Sequence, residues 1–120
     1  MTKEQFYEII NNRLEQTKNL LTIKGVEYIR NNDPLHNFNV GESITGKSKA
    51  EVLDGMMLKH YISYRDLLDD MSNHKEISKS QMKEKIGDLI VYLCIQETIF
   101  EEYINRSEDT KSIETENRNI

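Results

Sequence analysis

Side chains capable of ligand chemistry are concentrated between positions 24 and 38. They include Lys24, Tyr28, Asp33, His36, Asn37 and Phe38. A lysine can hold a phosphate, an aromatic ring can stack on a base, and an aspartate or asparagine can hydrogen-bond a base edge or a sugar. Long ordered loops in small domains are often functional. We therefore predict that this segment is a loop forming one wall of a small-molecule site.

A second group of polar residues recurs at helical spacing further along the chain. Lys59, Ser63 and Asp66 are separated by four and then three positions, which places them on one helix face, and His60 lies beside that face. The lysine and histidine favour an anionic partner such as a phosphate. The alternative is a solvated face on which Lys59 interacts with Asp66.

Two acidic residues, Glu84 and Asp88, lie one helical turn apart, with Tyr92 a further turn along and Lys85 adjacent. Carboxylate oxygens can hold magnesium while water and phosphate fill its other positions. The alternative is a helix start at which acidic groups favour the helix dipole. Magnesium is thus a candidate cofactor, with Glu84 and Asp88 as its candidate ligands, and no other cofactor is indicated.

The stretch from Gly41 to Ser48 matches the P-loop pattern Gly-x-x-x-x-Gly-Lys-Ser/Thr letter for letter. A P-loop follows a buried strand and opens a helix. The preceding residues 37–40 are not a convincing strand, and the chain has no room for the parallel sheet such proteins need. We predict that the match is accidental and that Ser48 caps a helix.

The apolar spacing predicts an all-α fold with three main helices and the long loop between the first two. The expected helix caps are Thr2 for the first helix, Ser48 for the second, and Ser78 or Ser80 for the third. The first helical pattern ends near Gly25, a common C-terminal signal. No segment alternates apolar and polar residues as a half-buried strand does, so little or no sheet is expected.

Residues 1–105 are predicted to form one domain and residues 106–120 a flexible tail, because the tail is too polar to offset its ordering entropy. The run from Leu89 to Ile95 is apolar on nearly all sides of a helix. One neighbouring helix cannot cover such a surface. We therefore predict a homo-oligomer, a dimer or larger, in which Leu89, Leu93 and Phe100 are partly buried against another subunit.

Composition excludes several classes of protein. The net charge is −5 and no basic run occurs, which argues against general nucleic-acid binding. No apolar stretch is long enough to cross a membrane, and the N-terminus lacks the apolar core of a signal peptide. The single cysteine, Cys94, allows neither an internal disulfide nor a cysteine-based zinc site. A cytoplasmic protein without a membrane partner is expected.

Four separated pieces of the chain resemble the phage family called nucleotide modification-associated domain 1. They span 24–28, 33–38, 57–66 and 84–93, and together cover roughly residues 14 to 104 in the order of the family. The resemblance implies a bacteriophage protein, located in the host cytoplasm, that binds or acts on modified nucleotides. It implies no particular mechanism.

The stretch Glu84-Lys85-Ile86-Gly87-Asp88-Leu89-Ile90 is also similar to the second acidic motif of MazG-like and dimeric dUTPase-type nucleotide pyrophosphatases. Those all-α enzymes hold magnesium with Glu-x-x-Glu on one helix and Glu-x-x-Asp on the next. Here Lys85 occupies the position three before Asp88, and the earlier helix offers no Glu-x-x-Glu. The similarity therefore implies a MazG-like shape with a changed pocket.

Combining these signals, we predict a pocket in which the loop faces Lys59, His60 and Asp66, with Asp88 and Tyr92 closing it. Three functions remain open. The chain binds a nucleotide-like molecule, for instance sequestering it from host defence; or it is a magnesium-dependent enzyme processing phage DNA precursors; or it inhibits a host protein. The incomplete carboxylate set favours the first, and no catalytic residue is assigned.

Overall fold

The computed structural model describes the backbone of residues 1–118 and the side chains of residues 1–23 and 29–111. This part of the chain contains four helices: α1 (Lys3–Tyr28), α2 (His36–Thr45), α3 (Lys49–Ser72) and α4 (Lys79–Arg118). It contains no strand, only an isolated bridge between Arg30 and Asp33. The predicted all-α class is confirmed. The predicted count of three main helices is not exact, because α2 forms where part of the loop was expected.

Local capping starts the helices as predicted. Thr2 and Gln5 form a reciprocal capping box, with each side chain accepting the other residue's backbone N–H at 3.1 and 2.8 Å. The Ser48 hydroxyl accepts the Glu51 N–H at the start of α3. At the start of α4 the cap is Ser78, whose hydroxyl accepts the Gln81 N–H at 3.0 Å. These bonds satisfy backbone donors that the first turn of a helix leaves unpaired.

The connection between α1 and α2 is a short turn over residues 29–35 and not a long loop. The helix α1 continues past Gly25, because one glycine costs a helix only about 1 kcal/mol, and it stops before Asn31 and Asn32. Both asparagines adopt positive φ, 55° and 59°, which asparagine tolerates better than most residues. Asp33 follows as the residue before Pro34, where a helical conformation is disfavoured.

Asp33 holds the start of α2. Its carboxylate accepts the Leu35 backbone N–H and the Asn39 side-chain amide, both at 2.9 Å. The hydrogen bond from Asn39, followed by that from Leu35, lowers the pKa of Asp33 below its usual value of 3.8, because both bonds favour the charged form. This predicted ligand-binding residue thus has a structural partner on each carboxylate oxygen.

Helices α3 and α4 form an antiparallel pair. Lys49 at the start of α3 pairs with Glu102 late in α4, whereas His60 further along α3 meets Asp88 earlier in α4. Helix α2 packs over this pair and contributes to a core made of Leu35, Phe38, Val52, Leu53 and Ile99. Leu53 is fully buried, which contributes roughly 1.5–3 kcal/mol to the free energy of unfolding.

Helix α1 packs against α4, and its buried side begins at Arg13, which donates to the Lys83 carbonyl at 3.0 Å. Residues 1–12 are exposed throughout. The radius of gyration is 19.1 Å, against about 14 Å for a compact domain of this length. The single chain is therefore elongated, with helix ends that extend beyond their packing partners.

The segment predicted to be a flexible tail continues α4 as far as Arg118, and its described side chains, residues 106–111, are all exposed. Such a segment adds little to the packed body, and its flexibility stays a prediction. Within the described residues, none of the helices combines the length and the apolar character required to span a bilayer.

Candidate functional site

Helices α2, α3 and α4 meet around a cavity of about 200 Å³, hereafter the central cavity. It is lined by Asn37, Phe38, Met56, His60, Glu84, Asp88, Val91, Tyr92 and Ile95. The apolar members continue the buried core, and the polar ones come from all three helices. Six residues predicted from the sequence to bind a ligand or metal therefore come together here, although they lie in three separate segments of the chain.

The imidazole of His60 is oriented by a carboxylate. Its Nδ1 lies 3.3 Å from Asp88 Oδ2, and both side chains are partly buried. When Nδ1, which lies nearest this carboxylate, carries a proton, Nε2 is an acceptor in the neutral ring and a donor in the charged ring. His60 can thus hydrogen-bond a ligand in either protonation state, with Asp88 fixing the direction of the bond.

Aromatic rings form another part of the wall. The His60 and Tyr92 rings lie 5.0 Å apart between centroids, with their planes tilted by 35°. Phe38 is buried at the same cavity. Tyrosine and histidine both present a polar edge beside an apolar face, so this wall can contact a planar ring and still offer hydrogen bonds.

The described lining residues carry a net negative charge. Glu84 and Asp88 contribute two negative charges, and His60 contributes at most one positive charge. These residues on their own disfavour a bare phosphate inside the cavity. Among the described residues, no group of three or more histidine, cysteine or acidic side chains is arranged to hold a metal ion. Two carboxylates at one cavity can still share a magnesium ion with water and substrate oxygens.

Four further predicted site residues do not line the central cavity. Lys59 and Asp66 are exposed on α3, and Ser63 and Lys85 are half-buried. Lys24 and Tyr28 lie outside the residues whose side chains the structure describes. Among the described residues of the predicted wall, Asn37 and Phe38 line the cavity, and both belong to α2 and not to a loop.

Four residues at or near the site were not predicted. Met56 lines the cavity one turn before His60, and Val91 and Ile95 line it on α4. Gln96 donates from Nε2 to the Ala50 carbonyl at 2.9 Å, while its Oε1 is buried without a hydrogen-bond partner. A sequence signal for Gln96 did exist, because Glu84, Asp88, Tyr92 and Gln96 recur every four residues.

The P-loop match adopts a different structure. Its first residues lie inside α2, Gly46 ends that helix with φ of 74° and donates to the Glu42 carbonyl, and Ser48 caps α3. The preceding residues 36–40 are helical. A phosphate-cradling loop after a strand is therefore not present at these positions, and the prediction that Ser48 is a helix cap is confirmed.

Comparison with protein-family models finds no match to this chain, and comparisons with curated proteins and with solved structures find none either. The resemblance to the phage nucleotide modification-associated domain thus stays a prediction.

Proposed function

We propose that this protein binds a nucleotide or a nucleotide-derived small molecule in the central cavity. The observation that supports this most is the convergence of an amide (Asn37), a carboxylate-oriented imidazole (His60) and an aromatic ring (Tyr92) on one cavity. An amide and an imidazole can read the edge of a base, and the aromatic ring can lie against its face.

The size and charge of the cavity suggest which part of the molecule enters. Its volume of about 200 Å³ lies below the roughly 300–1,000 Å³ of pockets that enclose a whole drug-sized ligand. Because the lining is acidic, the base is the part that enters, and the phosphates stay outside. Lys59 and Lys85, next to the lining residues His60 and Glu84 in sequence, would then hold those phosphates.

Binding without turnover is the version of this function that we favour. The resemblance to a phage family suggests a protein that sequesters a nucleotide signal from host defence in the host cytoplasm, acting as a homo-oligomer. The alternative is a magnesium-dependent enzyme that processes phage DNA precursors. Glu84 and Asp88 lining one cavity, with Asp88 paired to His60, is the observation that favours this alternative.

A thermal-shift screen with mono-, di-, tri- and cyclic nucleotides, with and without magnesium, tests the proposal. A ligand at 100 times its dissociation constant stabilises the folded protein by about 2.7 kcal/mol. Turnover is measured on the same mixtures by separating substrate from product. Magnesium-dependent product formation would favour the enzyme, whereas a shift without product would favour sequestration.

Variants then locate the site. We expect His60→Ala to weaken binding at least tenfold, and Asn37→Ala to weaken it by about two- to tenfold, since a hydrogen bond contributes roughly 0.5–1.5 kcal/mol. Lys59→Ala should weaken binding by about ten- to a hundredfold if Lys59 holds phosphate, because charge-assisted bonds contribute roughly 1.5–3 kcal/mol.

The matched control is Lys47→Ala, an exposed lysine of the P-loop look-alike, which should leave affinity unchanged. The proposal fails if no nucleotide shifts the melting temperature, or if the His60 and Asn37 variants bind as well as the natural chain. Failure of the whole screen would favour the third possibility, an inhibitor that binds a host protein.

A further inference from the structure

A second cavity, hereafter the distal groove, lies where the junction of α2 and α3 meets the C-terminal half of α4. Its volume is about 330 Å³, and it is lined by Glu42, Ser48, Lys49, Ala50, Ile99, Phe100, Glu102, Tyr103 and Arg106. Its apolar side chains include the buried Ile99 and the rings of Phe100 and Tyr103. Both aromatic residues are exposed in the single chain.

The charged groups at the rim of the distal groove are occupied by one another. Lys49 Nζ is paired with Glu102, Arg106 lies 3.4 Å from the same carboxylate, and Glu42 accepts the Lys49 backbone N–H at 2.9 Å. A small charged ligand would have to compete with these contacts. The chemistry of the groove therefore suits an apolar side-chain surface, such as one face of an amphipathic helix.

The first turns of α1 have that kind of surface. Phe6, Ile9, Ile10 and Leu14 follow the i, i+3, i+4, i+8 spacing of one helix stripe, and between 41% and 63% of each residue's surface is exposed. A stripe of this kind on a soluble helix usually packs against a partner surface.

The stripe cannot fill the distal groove of its own chain. Arg13 donates to the Lys83 carbonyl, and Arg13 and Leu20 both lie within 4 Å of the Cβ position at Gly87, so α1 contacts the N-terminal part of α4. Phe6, the stripe residue farthest from Arg13, lies only about 11 Å from it along α1 at 1.5 Å per residue. Ile99, in the groove, lies roughly 24 Å further along α4 than Lys83 at 1.5 Å per residue.

The exposed area leaves surface for a large interface with a second copy. The chain exposes 9568 Å², whereas a compact monomer of 14.2 kDa exposes about 6,800 Å². The excess is about 2,800 Å² per chain. Obligate dimers bury roughly 2,000–5,000 Å² in total, or about 1,000–2,500 Å² on each chain. A dimer interface in the upper half of this range would cover most of the excess.

We propose that the α1 stripe of one protomer occupies the distal groove of a second copy, and that the second copy reciprocates. Two identical contacts related by a two-fold axis close the assembly, so further chains are not recruited. The arrangement also covers Phe100, which the sequence predicted to be buried by another subunit. This inference does not depend on nucleotide binding in the central cavity.

Sedimentation of the full chain at micromolar concentration tests the proposal. We expect a dimer, and we expect Ile10→Lys and Phe100→Asp each to raise its dissociation constant at least tenfold, since each places a charge in both apolar contacts. Both positions are exposed in the single chain, so the fold should persist, which far-ultraviolet circular dichroism verifies. Phe6→Lys provides a second test of the stripe. Ile44→Asp, at an apolar position 78% exposed on α2, is the matched control and should leave the dimer intact.

Mixing the two variants distinguishes this arrangement from others. A heterodimer of Ile10→Lys and Phe100→Asp chains keeps one unaltered contact and gains opposite charges in the other, so association should recover beyond that of either variant alone. If α1 paired with α1, or α4 with α4, mixing would restore no unaltered contact. A monomeric natural chain, a mixture without recovery, or an equal effect of Ile44→Asp would each overturn the proposal.

Discussion

The packing of α2 on α3 can be tested with one methyl group at Gly41. A Cβ atom at that position would lie 2.6 Å from Val52 Cγ1 and 3.4 Å from Cγ2. Carbon atoms in favourable contact lie about 3.5–4.0 Å apart, so one helix would have to move by about 1 Å. Val52 cannot easily turn away, because it is buried and β-branched side chains have one strongly preferred rotamer in a helix.

The expected magnitude follows from two opposing effects. Alanine in place of glycine inside a helix stabilises by roughly 0.5–1 kcal/mol, whereas overpacking a core costs roughly 1–3 kcal/mol. We therefore expect Gly41→Ala to lower the free energy of unfolding by about 0.5–2 kcal/mol. Gly55, inside α3, has no atom within 4 Å of the corresponding Cβ position, so Gly55→Ala should raise it by roughly 0.5–1 kcal/mol.

Urea unfolding followed by far-ultraviolet circular dichroism, at one fixed protein concentration, measures both variants. In a Val52→Ala background, which is itself less stable, Gly41→Ala should become neutral or stabilising because the clashing methyl group is gone. This double-mutant cycle isolates the Gly41–Val52 contact. Equal stabilisation by Gly41→Ala and Gly55→Ala in the natural background would refute the close approach of α2 and α3.

Three further predictions concern the turns and the tail. Gly46→Ala should lower the free energy of unfolding by about 1 kcal/mol, since Gly46 has φ of 74° and an L-residue is strained there; an unchanged urea midpoint would contradict this. The lowered pKa of Asp33 stabilises the fold above pH 3.8, and this contribution is lost as the pH falls through the folded-state pKa. Asn39→Ala removes the main cause of this lowered pKa, so the melting temperature of the variant should fall less as the pH is lowered. Melting temperatures of the variant and the natural chain that fall in parallel would contradict this prediction. Deleting residues 107–120 should leave the melting temperature nearly unchanged, and a fall of many degrees would show that the tail packs on the body or on a partner.

The helix starts could be predicted from the sequence because capping is local. Thr2, Ser48 and Ser78 each bond a backbone N–H three residues ahead, so the whole signal lies within four positions. Asp33 accepts the Leu35 N–H two residues ahead, but helix α2 has no capping side chain at its own N-cap. Its N-cap is Leu35, which makes no side-chain cap bond, and a short helix is marginal without tertiary packing. The burial of Leu35 and Phe38 against α3 and α4 stabilises it, and such contacts cannot be read from one segment.

The central cavity was predicted in part for the same geometric reason. Residues four apart share a helix face, so Glu84, Asp88 and Tyr92 reach one cavity together. Lys59 does not share the helix face of His60, because consecutive side chains point about 100° apart, so Lys59 could contact only a part of the ligand that lies outside the cavity. His60 faces α4, and Lys59 is exposed. The spacing places Lys59, Ser63 and Asp66 on one face of α3, but it does not show which side of that face contacts the neighbouring helix.

The P-loop look-alike shows why a short motif needs its structural context. A glycine at Gly41 permits close approach to Val52, Gly46 takes the left-handed conformation that ends α2, and Ser48 caps α3. Here Gly41, Gly46 and Ser48 serve two packed helices and the tight turn that joins them. Their spacing equals that of a phosphate loop, but the physical reasons for these residues are different. Lys47 is the one residue specified by the motif that has no role in this packing or capping, since its side chain is exposed. A neutral Lys47→Ala beside a destabilising Gly41→Ala would separate the two explanations, because a phosphate loop needs its lysine for binding and a helical turn does not.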